Sequence, residues 1–259
     1  MINFSCMREQ LKISGKIFGD ISQKRTVVIL SHGFLANQKM CKKYAKLLAE
    51  AGFIAVTFDF CGGGLGCKSE GKSENMTLFT EKADLLAVID YIKQQTYTEN
   101  IVLLGCSQGG LVSAMVAKEL GTEIEKLILL YPALCIPDDA RAGKMMFYEF
   151  DPNNIPDILG NFPMKLGGDY ARCVIEMDPF MQIGGFDGPV LYLHGTADDI
   201  VDISYARKAK ELYPNCEYHE IQDGGHAFRG KQDKEACKLL INFMRRNERG
   251  VPTGENGTA

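Results

Sequence analysis

The feature that most constrains the fold is a serine flanked by glycines, placed between an apolar run and a helical pattern. Residues 101–110 read Ile-Val-Leu-Leu-Gly-Cys-Ser-Gln-Gly-Gly. Gly105 and Gly109 remove the side chains that would clash where the chain doubles back, so Ser107 can stand at the apex of a sharp strand-to-helix turn. Such a turn lifts a serine hydroxyl clear of the backbone. The segment therefore predicts a nucleophile elbow within a sheet covered by helices.

Short apolar runs and longer helical patterns alternate along most of the chain. The runs have the length of strands, and the segments between them carry apolar residues three or four positions apart. Strands are predicted over residues 8–18, 26–31, 53–60, 101–105, 126–131, 190–194 and 216–221, and helices over 40–51, 78–95, from the serine turn to about 120, 203–213 and 234–246. Apolar strands of this kind are typical of a mainly parallel sheet with helices on both faces. We therefore expect a single α/β domain.

One segment interrupts the alternation. Residues 132–186 are rich in proline, glycine, methionine and aromatic residues. Long insertions often cover active sites, and methionine-rich aromatic surfaces suit apolar ligands, so we expect an inserted lid subdomain here. A small satellite core is the alternative. The main core is then formed by residues 1–131 and 187–247, and residues 248–259 are expected to be a disordered tail.

Charge and composition exclude several function classes. The 259 residues carry a formal net charge of −4, so we expect neither a nucleic-acid partner nor a membrane-binding basic cluster. The apolar stretches are too short to cross a bilayer, and the first residues lack the layout of a signal peptide. Nine cysteines, without a Cys-x-x-Cys spacing, indicate a reducing compartment, and we expect a cytoplasmic protein. Cys106, next to Ser107, is interpreted as a buried apolar residue rather than as the nucleophile.

A serine nucleophile needs a base, and the chain has four histidines. His226 lies in a glycine-containing segment between the last predicted strand and the last predicted helix. Parallel sheets place their chemistry in loops at the carboxyl ends of strands, so His226 is the predicted base. His32 and His194 end predicted strands and are expected to brace loops. His219 is expected on the surface of a strand.

The base in turn needs a carboxylate that fixes its tautomer and stabilises the imidazolium. Asp198 and Asp199 both follow a predicted strand and can reach the same crevice. Asp198 is favoured, and Asp199 is the alternative. Asp223 lies in the same loop as His226, which makes an opposed arrangement difficult. The order Ser107, Asp198, His226 along the chain is the order of a triad in an α/β-hydrolase.

Four motifs make the chain resemble the α/β-hydrolases over about residues 20–247. They are His32-Gly33-Phe34, Gly105-Cys106-Ser107-Gln108-Gly109, residues 194–201 (His-Gly-Thr-Ala-Asp-Asp-Ile-Val) and Gly225-His226. The resemblance implies an α/β-hydrolase fold, and the family signature H-G-x-x-D-x-x-V falls with its acid on Asp198. It also implies that the backbone N–H groups of Phe34 and Gln108 form an oxyanion hole, which must meet the charge of the tetrahedral intermediate.

The predicted lid is similar to the inserted subdomain of bacterial cinnamoyl (feruloyl) esterases. Residues 148–157 and 166–170 carry this similarity, together with Asn75-Met76-Thr77. The resemblance implies that Asp139 and Tyr170 contact the phenolic hydroxyl of the acyl group. Met146 stands where relatives have a glutamine, which leaves a more apolar acyl group open as a substrate.

These residues predict a serine carboxylic-ester hydrolase that works through an acyl-enzyme, on hydroxycinnamate or similar small aryl and acyl esters. It needs no metal and no cofactor, and a homodimer is left open. Lipase, peptidase or acyl-thioesterase activity on the same fold is an alternative, as is a non-catalytic binding module.

Residues 66–73 match the phosphate-binding pattern G-x-x-x-x-G-K-S. They do not follow a strand directly or open a helix, so nucleotide binding is not expected.

Overall fold

The structure is a computed structural model that describes residues 1–246. The tail predicted to be disordered, residues 248–259, lies outside the described residues, as does residue 247. The strands are β1 Ile2–Arg8, β2 Leu11–Phe18, β3 Arg25–Ser31, β4 Ile54–Phe58, β5 Thr98–Cys106, β6 Lys126–Leu130, β7 Lys144–Met145, β8 Tyr148–Glu149, β9 Ile158–Gly160, β10 Leu166–Gly167, β11 Val190–Gly195 and β12 Cys216–Ile221. The α-helices are α1 Lys42–Glu50, α2 Leu78–Lys93, α3 Gln108–Leu120, α4 Ile136–Arg141, α5 Asp169–Arg172, α6 Pro179–Ile183, α7 Ile203–Ala209 and α8 Gly230–Arg245.

Eight strands form the central sheet, in the order β1-β2-β4-β3-β5-β6-β11-β12. The six strands from β4 to β12 in this order run parallel to one another. The edge strand β1 and the adjacent strand β2 are antiparallel to their neighbours. The predicted mainly parallel α/β sheet is confirmed. The order along the sheet brings the carboxyl ends of β5, β11 and β12 to one edge.

The parallel strands are buried on both faces, which explains their continuous apolar sequences. In β3, Val27 and Ile29 pack on one face of the sheet with residues of α2, α3 and α7. Val28 and Leu30 pack on the opposite face with residues of α1 and α8. Two helical layers therefore enclose the sheet and hold its strand ends in fixed positions.

The N-terminal region differs from its prediction. A single strand was expected over residues 8–18, but the chain forms a hairpin in which β1 pairs antiparallel with β2. Glu9, with a φ of 52°, lies in the tight turn between them. Only Phe4 and Cys6 of β1 are buried, because β1 is an edge strand. Its apolar pattern is therefore too short to predict a strand.

Two helices also differ from prediction. The helix expected over residues 203–213 is α-helical only to Ala209, and Lys210–Leu212 continue as a 3₁₀ turn. The last helix begins at Gly230, four residues before the predicted start at 234, because its first turn is polar and has no apolar periodicity. The remaining predicted strands and helices are found, with ends shifted by about three residues or fewer.

Residues 132–186, named here the β6–β11 segment, fold into small elements beside the sheet. They form two two-stranded ribbons, β7–β8 and β9–β10, and three short helices. Buried apolar residues of the segment, among them Ile136, Met145 and Tyr170, join the same core cluster as α2 and α3. The segment therefore packs on the face of the sheet that carries α3.

The segment with the phosphate-binding pattern is not the start of a helix. Residues 73–75 form a 3₁₀ turn, and α2 begins only at Leu78. Thr77 caps α2 in a reciprocal pair of hydrogen bonds with Thr80.

Among residues 1–246, the helices are all too short or too polar to cross a membrane.

Candidate active site

Ser107 is the single residue that connects β5 to α3. Its backbone has a φ of 53° and a ψ of −124°, a conformation that L-residues rarely adopt and that costs about 1–3 kcal/mol. The turn is held by hydrogen bonds from Ser107 N to Leu130 O (3.0 Å) and from Ala133 N to Ser107 O (3.0 Å). Neighbouring β6 and the start of the β6–β11 segment thus lock the serine at the apex.

Three glycines allow the chain to pass this close to Ser107. A Cβ atom at Gly105 would overlap the carbonyl oxygen of Gly109, and one at Gly109 would overlap that of His32. A Cβ atom at Gly33 would lie 3.0 Å from Ser107 Cβ and 3.5 Å from Ser107 Oγ. The close backbone contacts therefore require glycine at both flanking positions of the Gly-x-Ser-x-Gly motif.

Three side chains from different loops meet beside the turn. His226 Nε2 lies 2.9 Å from Ser107 Oγ, and His226 Nδ1 lies 2.9 Å from Asp198 Oδ2. The ring of Tyr131 packs edge-on against His226, with centroids 4.9 Å apart. Asp198 follows β11 and His226 follows β12, so both come from carboxyl ends of parallel strands.

The side-chain carboxylate of Asp198 is buried and accepts several hydrogen bonds. Its Oδ1 accepts from the N–H groups of Ile200 (3.0 Å) and Val201 (2.9 Å). Burial acts to raise the pKa of Asp198, but the hydrogen bonds from His226 and these N–H groups outweigh burial and hold the pKa below its usual value. Asp199, the alternative acid, is exposed. The geometry thus brings Asp198, not Asp199, to His226.

The other histidines lie where the sequence predicts. Buried His32 bonds through Nδ1 to Gly33 O and accepts through Nε2 from Phe60 N–H. His194 Nε2 lies 2.9 Å from Val201 O, at the base of the loop that carries Asp198. His219 is half-buried on β12, beside Glu217.

The two expected oxyanion donors flank Ser107. Phe34 and Gln108 line the same cavity as the serine hydroxyl. Gln108 is the first residue of α3, where a backbone N–H has no partner within the helix. Within residues 1–246, neither Phe34 N nor Gln108 N donates a hydrogen bond to the protein. Both N–H groups therefore lack a protein acceptor within the described residues.

A glycine-rich loop after β4 supports the loop that carries Phe34. Leu35, with a φ of 59°, pairs with Gly64 in an isolated bridge, and Leu65 N donates to Leu35 O at 3.2 Å. A Cβ atom at Gly64 would overlap the carbonyl group of Ala36. Gly64, which lies just before the segment with the phosphate-binding pattern, thus helps to position the Phe34 loop.

A cavity of about 180 Å³ lies beside Ser107 and is lined in part by the β6–β11 segment. Among residues 1–246, Asp139 is the one carboxylate in the cavity wall, and burial raises the pKa of this half-buried acid. The three residues predicted to contact substrate, Asp139, Met146 and Tyr170, all line the cavity. The other lining residues are Gly33, Phe34, Met40, Ser107, Gln108, Ala133, Cys135, Ile136, Met145, Ile200 and His226.

Tyr170 also contacts a residue next to Ser107. Its side chain is buried, and its hydroxyl donates a hydrogen bond to Gln108 Oε1. Gln108 Nε2 donates in turn to Glu81 Oε2 at 2.7 Å. Sequence reasoning missed Glu81. The helical spacing would have indicated that Glu81 is buried, because it falls between Leu78 and Leu85 on the apolar face of α2.

One group of side chains has the composition of a metal site. Ligand atoms of His32, Asp59 and Cys67 lie within 4.8 Å of one another. Both His32 nitrogens are engaged in hydrogen bonds, as described above. Asp59 accepts from Gln38 and from Lys68 N–H, and burial raises the pKa of the Cys67 thiol to about 12. This group fits a hydrogen-bonded scaffold behind the Phe34 loop better than a set of metal ligands.

The parallel sheet, the serine turn and the three converging loops define an α/β-hydrolase. Residues 22–169 match the family model described as serine aminopeptidase, S33 (Hydrolase_4), and the chain belongs to this α/β-hydrolase family. The predicted membership is confirmed.

The chain is also similar to solved structures and to a curated protein. Est1E from Butyrivibrio proteoclasticus, solved with ferulic acid bound, has 29% identity and a TM-score of 0.86, over 93% of this chain and 97% of that chain. The Pyrococcus furiosus esterase Pf2001 has 21% identity and a TM-score of 0.70, over 94% of this chain and 91% of that chain, and shares the fold. The uncharacterized protein YqkD of Bacillus subtilis is 26% identical over 220 residues, which are 83% of this chain and 69% of YqkD.

Proposed function

We propose that this protein is a serine carboxylic-ester hydrolase in which Ser107, His226 and Asp198 form the catalytic triad. The observation that carries the proposal is the continuous hydrogen-bonded series from Ser107 Oγ through His226 to Asp198, with both distances at 2.9 Å. This arrangement meets the geometric requirement for an activated serine, namely a base within reach and a third group that orients the base.

In the proposed reaction, His226 Nε2 takes the proton of Ser107 while Oγ attacks the ester carbonyl carbon. The imidazolium keeps its Nδ1 proton, which is hydrogen-bonded to the Asp198 carboxylate. The tetrahedral intermediate collapses, the C–O bond to the alcohol breaks, and His226 returns the proton to the leaving alcohol. Water, deprotonated by His226, then attacks the acyl-enzyme, and the acid is released as Ser107 regains its proton.

The backbone N–H groups of Phe34 and Gln108 are the proposed oxyanion hole. Their freedom from other partners supports this role. They would donate to an oxygen whose negative charge appears only in the tetrahedral intermediate. One donor of this kind is worth about 3–4 kcal/mol of transition-state stabilisation.

We infer that the acyl group is a hydroxycinnamate or a similar small aryl acid, bound under the β6–β11 segment acting as a lid. The cavity wall is largely apolar, with Asp139 as the carboxylate that can bond a distal hydroxyl. The similarity to Est1E, which binds ferulic acid, supports this class. Met146 contributes a flexible apolar surface, which suits a methoxylated or unsubstituted ring better than a ring with several hydroxyl groups.

The experiment is a hydrolysis panel of methyl ferulate, methyl caffeate, short aliphatic esters and an aminoacyl amide, with the Ser107→Ala variant as background. We expect turnover of the aryl esters to exceed that of the others. Ser107→Ala should lower ester turnover by about 10⁶-fold if the triad acts as a unit. If the protein hydrolyses short aliphatic esters but not the hydroxycinnamate esters, the proposed acyl group is refuted. Preference for the amide would favour a peptidase.

A further inference from the structure

The side chain of Gln108 is held at both ends by groups from distant parts of the chain. Its Nε2 donates to Glu81 Oε2 at 2.7 Å, and its Oε1 accepts from the hydroxyl of Tyr170. Glu81 belongs to α2, and Tyr170 belongs to α5 in the β6–β11 segment. All three side chains are almost fully buried. Two separate elements therefore fix the orientation of the residue that follows Ser107.

Tyr170 also contacts the second proposed oxyanion donor. Its ring packs against the ring of Phe34, with centroids 5.8 Å apart. A single side chain of the β6–β11 segment thus touches both Phe34 and Gln108.

Glu81 is an unusual residue for its position. It lies on the buried face of α2, where an acid costs free energy unless it is hydrogen-bonded. Burial, offset only in part by the hydrogen bond from Gln108, raises the pKa of Glu81 well above its usual value. A neutral carboxylic acid still accepts a hydrogen bond through its carbonyl oxygen. Gly63 closes over the other oxygen, since a Cβ atom there would lie 3.0 Å from Glu81 Oε1.

We propose that Glu81 and Tyr170 are positioning residues for the oxyanion hole, which they align by fixing the side chain of Gln108. This inference rests on the proposed function, because it concerns the N–H groups that would receive the oxyanion. Gln108 lines the cavity as the first residue of α3, and a fixed side chain restrains the peptide group that carries its unpartnered N–H among residues 1–246. Oxyanion donors must lie within a narrow range of distances, so a small rotation of this peptide would weaken catalysis.

The first test is Tyr170→Phe with p-nitrophenyl acetate, whose acyl group has no phenol for a tyrosine to bind. The variant keeps the ring against Phe34 and loses only the hydrogen bond to Gln108. We expect kcat to fall roughly 10-fold with KM within about 2-fold, because the lost alignment matters only when the oxyanion forms. Tyr148→Phe is the matched control, since Tyr148 is another buried tyrosine of the segment whose hydroxyl donates to Met164 O. Its kcat should remain at the parent value.

The second test compares Glu81→Leu with Glu81→Gln. Leucine removes the acceptor for Gln108, whereas glutamine restores a carbonyl oxygen in its place. We expect kcat to fall roughly 10-fold or more in Glu81→Leu and to recover in Glu81→Gln. Combining Tyr170→Phe with Glu81→Leu should lower kcat by less than the product of the two single effects, because both act through one side chain.

A trifluoromethyl ketone separates alignment of the oxyanion hole from general damage. Its adduct with Ser107 carries a negative oxygen like that of the intermediate, so Tyr170→Phe should weaken its inhibition in parallel with kcat. A Tyr170→Phe variant that keeps the parent kcat on p-nitrophenyl acetate and loses only affinity for hydroxycinnamates would overturn the proposal and make Tyr170 a substrate contact. Failure of the proposed function is a different result, namely acetate turnover that survives Ser107→Ala.

Discussion

Asp198 illustrates how much one residue does at this site. One of its oxygens meets His226 Nδ1, and the other accepts two backbone N–H groups of its own loop. These bonds fix the rotamer of the carboxylate and keep it charged, with its pKa below the usual value. A charged, immobile acid is what an imidazole needs in order to hold the correct tautomer and to stabilise its protonated form.

At the residue scale, Asp198→Asn and Asp199→Asn should have very different effects. Asparagine at 198 can present its amide NH₂ to His226, which favours the wrong imidazole tautomer, so we expect kcat on p-nitrophenyl acetate to fall by about 10⁴-fold. Asp199 is exposed, so its variant should stay within about 2-fold of the parent. Steady-state kinetics of both variants at one pH checks this. An equal loss in both would contradict the assignment.

Sequence reasoning found some residues of this site and missed others for physical reasons. The sequence predicts Ser107 and His226 as candidate site residues because glycine-flanked loops at strand ends leave few alternatives for such side chains, and the structure brings the two together. Glu81 was missed because a glutamate in a helix is usually solvated. Its position between Leu78 and Leu85 is informative only if each polar residue on an apolar helix face is examined. The hydrogen bond between Tyr170 and Gln108 has no sequence signal, since it joins residues 62 positions apart.

At the scale of elements, the site depends on two loops that touch. The Phe34 loop follows β3, and the glycine-rich loop follows β4, its neighbour in the sheet. The Leu35–Gly64 bridge joins them, and Asn37 Nδ2 donates to Leu65 O at 2.8 Å. The position of Phe34, a proposed oxyanion donor, is therefore set in part by a loop that contributes no group to the proposed chemistry.

Gly64→Ala tests this dependence. The added methyl group would overlap the backbone of Ala36, so the Phe34 loop must shift. We expect kcat on p-nitrophenyl acetate to fall at least about 10-fold, because one of the two proposed oxyanion donors moves. Gly184→Ala is the control, since a Cβ atom there makes only ordinary contacts of 3.5 Å or more and the φ is −69°. Parent-like kcat in Gly64→Ala would refute this role of the glycine-rich loop.

The elements themselves were largely predictable. Buried parallel strands have continuous apolar sequences, so β3, β4, β5, β6 and β11 were visible in the sequence. The edge strand β1 was not, because only Phe4 and Cys6 face the core. The small ribbons of the β6–β11 segment were not predictable either. Strands of two or three residues have no period of their own and are fixed by tertiary contacts.

At the scale of the whole molecule, one buried ion pair joins the N-terminal hairpin to the region of the site. Arg8 Nε donates to Asp84 Oδ1, and Asp84 Oδ2 accepts from Cys61 N at 2.8 Å. Arg8 ends β1, Asp84 lies on α2, and Cys61 begins the glycine-rich loop. The Asp84 side chain has no exposed surface. Burial raises the pKa of Asp84, although the Cys61 and Arg8 hydrogen bonds oppose this effect.

Arg8→Met should therefore destabilise the protein strongly. Removing the partner of a buried charge leaves that charge uncompensated, so the free energy of unfolding should fall by about 3 kcal/mol. Lys93→Met is the matched control, because the Lys93–Glu123 pair is exposed and should contribute less than about 1 kcal/mol. Urea unfolding of both variants measures the difference. Equal small losses would show that the hairpin is not tied to the fold through Asp84.

The most direct test of the central claim is to identify the atom that becomes covalently modified. The protein is treated with a fluorophosphonate, which reacts with activated serine nucleophiles, and the adduct is located by peptide mass spectrometry. The proposed mechanism predicts one adduct, on Ser107, that is absent in Ser107→Ala and forms far more slowly in His226→Ala. An adduct on another residue, Cys106 included, or labelling that persists unchanged in Ser107→Ala, would contradict it.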